Sequence, residues 1–227
     1  SLLMKNAPHL DEETREELDH IVRLLHEEYA SIAPSYGQME EYLLNRGEEL
    51  VVDHMGIRTF ALSPVSMDCL ETVFTSRGYR LTGEYTFPEK HLRARSFSPP
   101  STDFPRIFLS EITEEAFTPS SWNILKRCVE TLDTEITGET LLGAQRNWPP
   151  IEGEEYSVLH TESQYAAWVA SLGIRVNHVA LSVNELGTLD GLEDVNEAIH
   201  QLGMSLEVTG KSARALRKSL LAQSSTQ

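Results

Sequence analysis

An α+β protein built from two paired βαβββ units is what this sequence predicts, and three observations predict it. The stretch Asp53-His54-Met55-Gly56-Ile57-Arg58-Thr59-Phe60 alternates like a strand, and Asn177-His178-Val179-Ala180-Leu181-Ser182-Val183 echoes it. Each is followed by an amphipathic helix closed by glycine, with 24 residues from His54 to Gly78 and 25 from His178 to Gly203. Beyond each glycine a further apolar-alternating run begins, Tyr79-Arg80-Leu81-Thr82-Gly83 in one case and Met204-Ser205-Leu206-Glu207-Val208 in the other. Order, spacing and pattern agree, which marks an internal repeat. Two such units, each a half-open curved sheet, place both histidines on one concave wall.

The chain is expected as a single domain, 1–227: N-terminal helices over 10–47, a first βαβββ unit over 48–112, a helical insert over 113–172 and a second unit over 173–227. Residues 10–32 predict an amphipathic helix capped by Asp11, with Leu18, Ile21, Val22, Leu25, Tyr29 and Ile32 at helical spacing and Pro34 as its stop. A second helix is expected over 38–46, ending at Gly47. The first unit reads as a strand at 50–62, a helix at 65–77 (Leu70, Val73, Phe74), and strands at 79–87, 92–97 and 105–112 separated by prolines. In the insert, Ser120 or Ser121 is expected to cap a helix bearing Trp122, Leu125, Val129 and Leu132. A loop is expected from Thr137-Gly138 to Pro149-Pro150, and a helix opening at Ser163 and ending at Gly173. The second unit starts with a strand at 174–184 and a helix carrying Leu192, Val195, Ile199 and Leu202. By the repeat, the counterpart of Glu111 falls near position 236, so the second unit is expected to lack its last strand within these residues, and the tail 219–227 reads as an interruption.

Composition bounds the partners. A net charge of −16 argues against nucleic acid and anionic membrane surfaces, which are bound chiefly through Lys and Arg. No apolar run approaches the roughly 20 residues of a membrane span. The acids concentrate in the first fifty residues, where a solvated helical face with His9, His20 and His26 at the surface is expected. Cys69 and Cys128 are too few for a disulfide scaffold and are expected as buried free thiols in a reducing compartment. Ser1-Leu2-Leu3-Met4 is too short for a signal peptide, so a cytoplasmic place is expected.

Chemistry is expected on the histidine face. Alternation puts His54, Gly56, Arg58 and Phe60 on one side of the first strand and Met55, Ile57, Thr59 and Ala61 on the other. In the echo, His178, Ala180 and Ser182 share a side. Two imidazoles and a carboxylate with open positions suit a catalytic divalent metal such as non-haem Fe(II). His54 and His178 supply the imidazoles; the carboxylate is either Glu111 or one from the absent final strand. The bland reading is that the histidines are hydrogen-bonded core residues. Arg58 lies roughly 13 Å along the strand from His54. An inward guanidinium needs an anion, either an internal acid or the carboxylate of a substrate whose other end chelates the metal, which would be a short dicarboxylate or oxo acid. His91, Arg93 and Arg95 are expected on one face, solvated rather than a second anion clamp. Phosphate loops, CxxC pairs and nucleophile elbows are absent from the sequence.

These segments, with Gly83-Glu84-Tyr85-Thr86-Phe87-Pro88-Glu89-Lys90, Phe108-Leu109-Ser110-Glu111, Tyr165-Ala166-Ala167-Trp168-Val169, Val176-Asn177-His178 and Leu220-Leu221-Ala222-Gln223-Ser224-Ser225-Thr226, resemble the 2-oxoadipate dioxygenase/decarboxylase family in order from about residue 38 to the end. The resemblance implies a vicinal-oxygen-chelate fold with Fe(II) held by two His and one Glu. It implies conversion of 2-oxoadipate and O2 to 2-hydroxyglutarate and CO2 in lysine catabolism. It makes His54 and His178 the metal histidines and Arg58 the residue that grips the substrate carboxylate. It puts the ligand Glu in a strand after the Gln-Ser-Ser-Thr segment, past Gln227. Two rivals stand beside it: a metal-dependent isomerase, lyase or hydrolase on the same scaffold, using Zn(II), Ni(II) or Mn(II), and a non-catalytic binding relative. Oligomeric state is open.

Overall fold

The computed structural model describes residues 10–144, 146–182, 185–189 and 192–203. The described residues form two compact units, one within 1–29 and 54–179, the other within 30–53 and 180–227.

The first unit carries the βαβββ motif. Strand β1 (Val52–Phe60) leads to helix α3 (Met67–Thr75), then to β2 (Arg80–Phe87), β3 (Leu92–Ser98) and β4 (Arg106–Ile112). With β5 (Arg175–Leu181) these strands lie in the order β2-β3-β4-β1-β5. β2 and β3, and β3 and β4, are antiparallel, whereas β4 returns parallel to β1 with His54 opposite Arg106 and Thr59 opposite Glu111. The helix face of the sheet is the apolar one. Met55, Ile57, Ile107 and Leu109 are buried there with Leu70, Val73 and Phe74 of α3. The buried Thr59 hydroxyl donates to the Val65 carbonyl.

Both helices of the repeat close as their sequences predict. Gly78 after α3 and Gly203 after α8 (Leu192–Gln201) adopt positive φ, +93° and +76°, a conformation that a Cβ disfavours. Gly47 after α2 (Pro34–Asn45) and Gly173 after α7 (Gln164–Leu172) also adopt positive φ, so this ending is shared beyond the repeat helices. The counterpart of β2 after Gly203, and the tail 219–227, lie outside the described residues.

Around this motif the first unit places helical segments. Part of α1 (Glu12–Ile32) buries Leu18 and Leu25, and Asp11 accepts from the Thr14 amide at 2.8 Å as its cap. His20 is exposed and His26 half-buried. Arg77 ties three helices together through Glu17 (2.8 Å) and Glu139 (2.7 Å). The insert is more helical than expected: α4 (Pro119–Glu130), α5 (Gly138–Gly143), α6 (Gly153–Glu162) and α7 (Gln164–Leu172). Thr118, not Ser120 or Ser121, caps α4, because Pro119 takes the first helical position and moves the start upstream. Thr137 caps α5 inside the stretch expected as loop, and Ser163 caps α7 as expected.

In the second unit, α2 (Pro34–Asn45) starts at Pro34, four residues before its expected start, since proline without an N–H suits a first turn. The Glu48 carboxylate accepts from the Gly187 and Thr188 amides, each at 2.7 Å, and these bonds, with the Thr188 hydroxyl foremost, hold its carboxyl below the usual range. Val195 and Ile199 of α8 pack with Met39, Leu186, Leu189 and Leu202.

Among the described residues no helix is long and apolar enough to cross a membrane. Cys128 is buried, but Cys69 is only half-buried, its thiol meeting Ser66 at 3.2 Å. Burial pushes the Cys128 thiol up to about 11. Native protein at pH 8 should therefore leave Cys128 unreacted with a thiol reagent, with only about one thiol in a thousand ionised; rapid labelling of Cys128 in a peptide map would contradict this environment.

The almost fully buried Glu111 accepts from the Met67 amide at the start of α3 (2.9 Å) and pairs with the exposed Arg93 (2.7 Å). Glu111→Gln should lower unfolding free energy by about 2 kcal/mol, measured by urea denaturation, because a charge-assisted bond to a buried amide is weakened and Arg93 loses its partner.

Candidate metal and carboxylate site

The histidine face begins with an alternation and a hole. His54, Gly56 and Arg58 point from β1 to the side of the sheet opposite α3, as the buried Met55, Ile57 and Thr59 on the other side require. Gly56 leaves no side chain, and the His178 ring of β5 occupies the space. A Cβ on Gly56 would lie 2.1 Å from Cε1 of His178. His178 meets His54 with ring centroids 5.4 Å apart and planes at 77°. His54 is braced on its other side by Phe108 of β4, edge to face at 5.1 Å. Two imidazoles sharing one ion through nitrogens at about 2.1 Å bring their centroids to about 5 Å, so this pair fits a common cation.

The His178 ring is pressed onto the sheet on one side and open to solvent on the other. Desolvation, helped by the charges of His54 and Arg58, holds its pKa down to about 4. It is therefore the neutral, metal-binding form that stands here at neutral pH. His54, Gly56, Ala94, Phe108, Ser110, Asn177 and His178 line a cavity of about 200 Å³. All belong to the first compact unit.

Arg58 lies on the same face in a setting the sequence did not disclose. Its guanidinium carbon sits 4.9 Å from the Tyr165 ring centroid and 5.3 Å from that of Trp168, both on α7. With the Asn177 amide nitrogen donating to the Gly56 carbonyl (3.0 Å), the amide oxygen accepts from Arg58 Nε (3.1 Å) and Nη2 (3.3 Å). Among the described residues no carboxylate pairs with Arg58. Burial shifts its pKa downward. Of the two readings of Arg58, an internal acid partner finds no support among these residues. Further along the strand, Phe60 stacks on Trp148 at 5.9 Å and 21°.

Glu111 is not brought to the histidines. Parallel register puts it opposite Thr59 on the helix face, with both oxygens engaged by Arg93 and the Met67 amide. Among the described residues, no group of three His, Cys, Asp or Glu stands ready to hold an ion. Of the basic residues expected on one solvated face, His91 and Arg93 are exposed and Arg95 is not. Arg95 is mostly covered and pairs with Asp68, Glu71 and Glu84, Arg93 pairs with Glu111, and His91 sits outside the strand in a left-handed turn. Sequence reasoning missed Tyr165, Trp168 and Asn177 as neighbours of Arg58. The i, i+3 spacing of Tyr165 and Trp168, which puts both rings on one helix face, was the available signal.

A βαβββ unit whose sheet brings together histidines from its first strand and from β5 has the arrangement of a vicinal-oxygen-chelate-like protein. Residues 13–227 match the family described as 2-oxoadipate dioxygenase/decarboxylase, and the chain belongs to that family. A protein from Oryza sativa subsp. japonica described as a chloroplastic/amyloplastic 2-oxoadipate dioxygenase/decarboxylase is 31% identical over 193 residues, covering 79% of this chain and 53% of its own length. The chain thus spans about half the length of the curated relatives it matches. The crystal structure of hydroxyglutarate synthase with 2-oxoadipate from Oryza sativa superimposes with a TM-score of 0.78 at 26% identity, covering 87% of this chain and 68% of that one. A Shewanella frigidimarina protein assigned provisionally as a hydrolase gives 0.77 at 32% identity, covering 89% and 77%.

Gly56→Ala should displace the His178 imidazole, since a 2.1 Å approach cannot be met by small adjustment. A crystal structure of the variant, or its histidine NMR signals, should show the two rings parted; an unmoved ring would refute the packing described.

Proposed function

We propose that this chain carries the metal and substrate face of an Fe(II)-dependent dioxygenase/decarboxylase that converts 2-oxoadipate, or a similar 2-oxo dicarboxylate, and O2 to 2-hydroxyglutarate and CO2, a step of lysine breakdown. The observation that carries this reading is the meeting of His54 and His178 on the face that also presents Arg58. The family supports it, as does the 2-oxoadipate bound in the rice structure.

His54 and His178 would hold the ion, with a carboxylate from outside the described residues completing the set. Fe(II), when bound, supplies the redox chemistry with O2 and polarises a chelating 2-oxo acid. The chain's own residues do the rest. Gly56 keeps the space in which the His178 ring turns towards His54. Phe108 braces the His54 ring edge to face. Arg58 takes the remote carboxylate by charge-assisted hydrogen bonds, which sets the length of acid that can reach the ion. The neutral His178 needs no proton removed before it binds metal at neutral pH.

The test is anaerobic loading with Fe(II), followed by 2-oxoadipate and O2, with oxygen uptake and 2-hydroxyglutarate measured. Uptake should match product one to one. His54→Ala and His178→Ala should each abolish turnover and stoichiometric iron, and Arg58→Ala should lower kcat/KM about a hundredfold. Turnover that proceeds without O2, or on Zn(II) in place of iron, would overturn the dioxygenase reading in favour of a lyase or hydrolase. Folded protein that takes up no metal would favour a binding relative.

A further inference from the structure

We infer that Tyr165, with Trp168, is a positioning residue that seats Arg58 and thereby makes the site select a 2-oxo acid with a second, remote carboxylate. The inference rests on the functional reading above and adds to it the device that gives Arg58 its selectivity.

The Tyr165 hydroxyl is anchored where β1 and β4 run side by side. It accepts from the Thr59 amide (3.1 Å), meets the Ser110 hydroxyl (2.9 Å) and lies 2.7 Å from the Ser110 carbonyl, to which its one proton goes. Arg58 and Ser110 are opposite one another in the β1–β4 register. The phenol is therefore tied to the backbone of the residue after Arg58 and to the residue facing it. Its ring is thereby held against the guanidinium, and Trp168, one helical turn further along α7, presents the second ring.

This arrangement restrains Arg58 without neutralising it. An acid partner would fix the side chain equally well but would cancel its charge, as Glu111 does for Arg93. Aromatic faces attract the cation through their quadrupoles and leave its net charge intact. The Asn177 amide does the same, taking Nε and one edge of Nη2. A partly desolvated guanidinium held this way has a strong appetite for an anion in one place only. The planar fork suits a carboxylate, and the flat cation suits two rings. Lysine, a compact and strongly hydrated charge, suits neither.

The experiment uses the full chain loaded anaerobically with Fe(II). Calorimetric Kd values are measured for 2-oxoadipate and for 2-oxohexanoate, which replaces the remote carboxylate by a methyl group. The wild type should prefer the dicarboxylate. Tyr165→Phe, which keeps the ring and loses the anchor, and Trp168→Leu should each reduce that preference about tenfold while leaving the Kd for 2-oxohexanoate unchanged. Trp168→Phe should restore most of it, and Arg58→Lys should abolish it with both rings in place. Circular dichroism checks that each variant is folded. If the folded variants weaken both acids equally, or keep the preference, the seat is structural only and the inference is overturned while the functional reading stands. A wild type that binds neither acid overturns both.

Discussion

The site depends on one close packing, that of the His178 imidazole on the bare backbone of Gly56. Neighbouring strands set their side chains side by side, so two histidines on adjacent strands ordinarily stand apart. Removing the side chain two residues from His54 on the same strand lets the His178 ring of the neighbouring strand lean over β1 towards His54. The 5.4 Å meeting with His54 is the result. Everything else on that face fits around it: Phe108 from one side and the Asn177–Arg58 pair from the other. Desolvation of the leaning ring also keeps it neutral, so packing and ligand chemistry pull in the same direction.

The two faces of the sheet divide the charged residues by purpose. On the α3 side, every arginine named above is matched by acid: Arg95 by Asp68, Glu71 and Glu84, Arg93 by Glu111. Those pairs join strands to helix and are mutually satisfied, so they hold the scaffold. On the histidine side, Arg58 is surrounded by rings and an amide. The contrast lies in the counter-charge, and it is what supports the proposal that Arg58 receives a ligand while Arg93 and Arg95 hold the scaffold.

Much of this was legible in the sequence because strand alternation is a local signal. His54, Gly56 and Arg58 could be put on one face from their spacing, and the glycine endings of both repeat helices could be read from position. The exclusion of Glu111 could not. Its face follows from alternation only once the parallel register with β1 is known, and register is set by packing across fifty residues. The seat of Arg58 was hidden for the same reason: Tyr165 reaches the Thr59 backbone across 106 positions. The cap of α4 was misplaced because serines favour caps by propensity, whereas Pro119 decided the matter by sterics. Helix α5 was missed because a short apolar pair, Leu141-Leu142, finds its partners only in the fold.

The segment between the two repeats has a consequence for how such a protein diversifies. The histidines stand on β1 and β5, but Tyr165 and Trp168 come from α7, in the connecting region. In the proposed site the two strands furnish the imidazoles, and the connection furnishes the surroundings of the arginine. The two can drift separately. A lineage could recast its appetite for acids by rewriting one helix of the connector while the inherited imidazoles stay untouched.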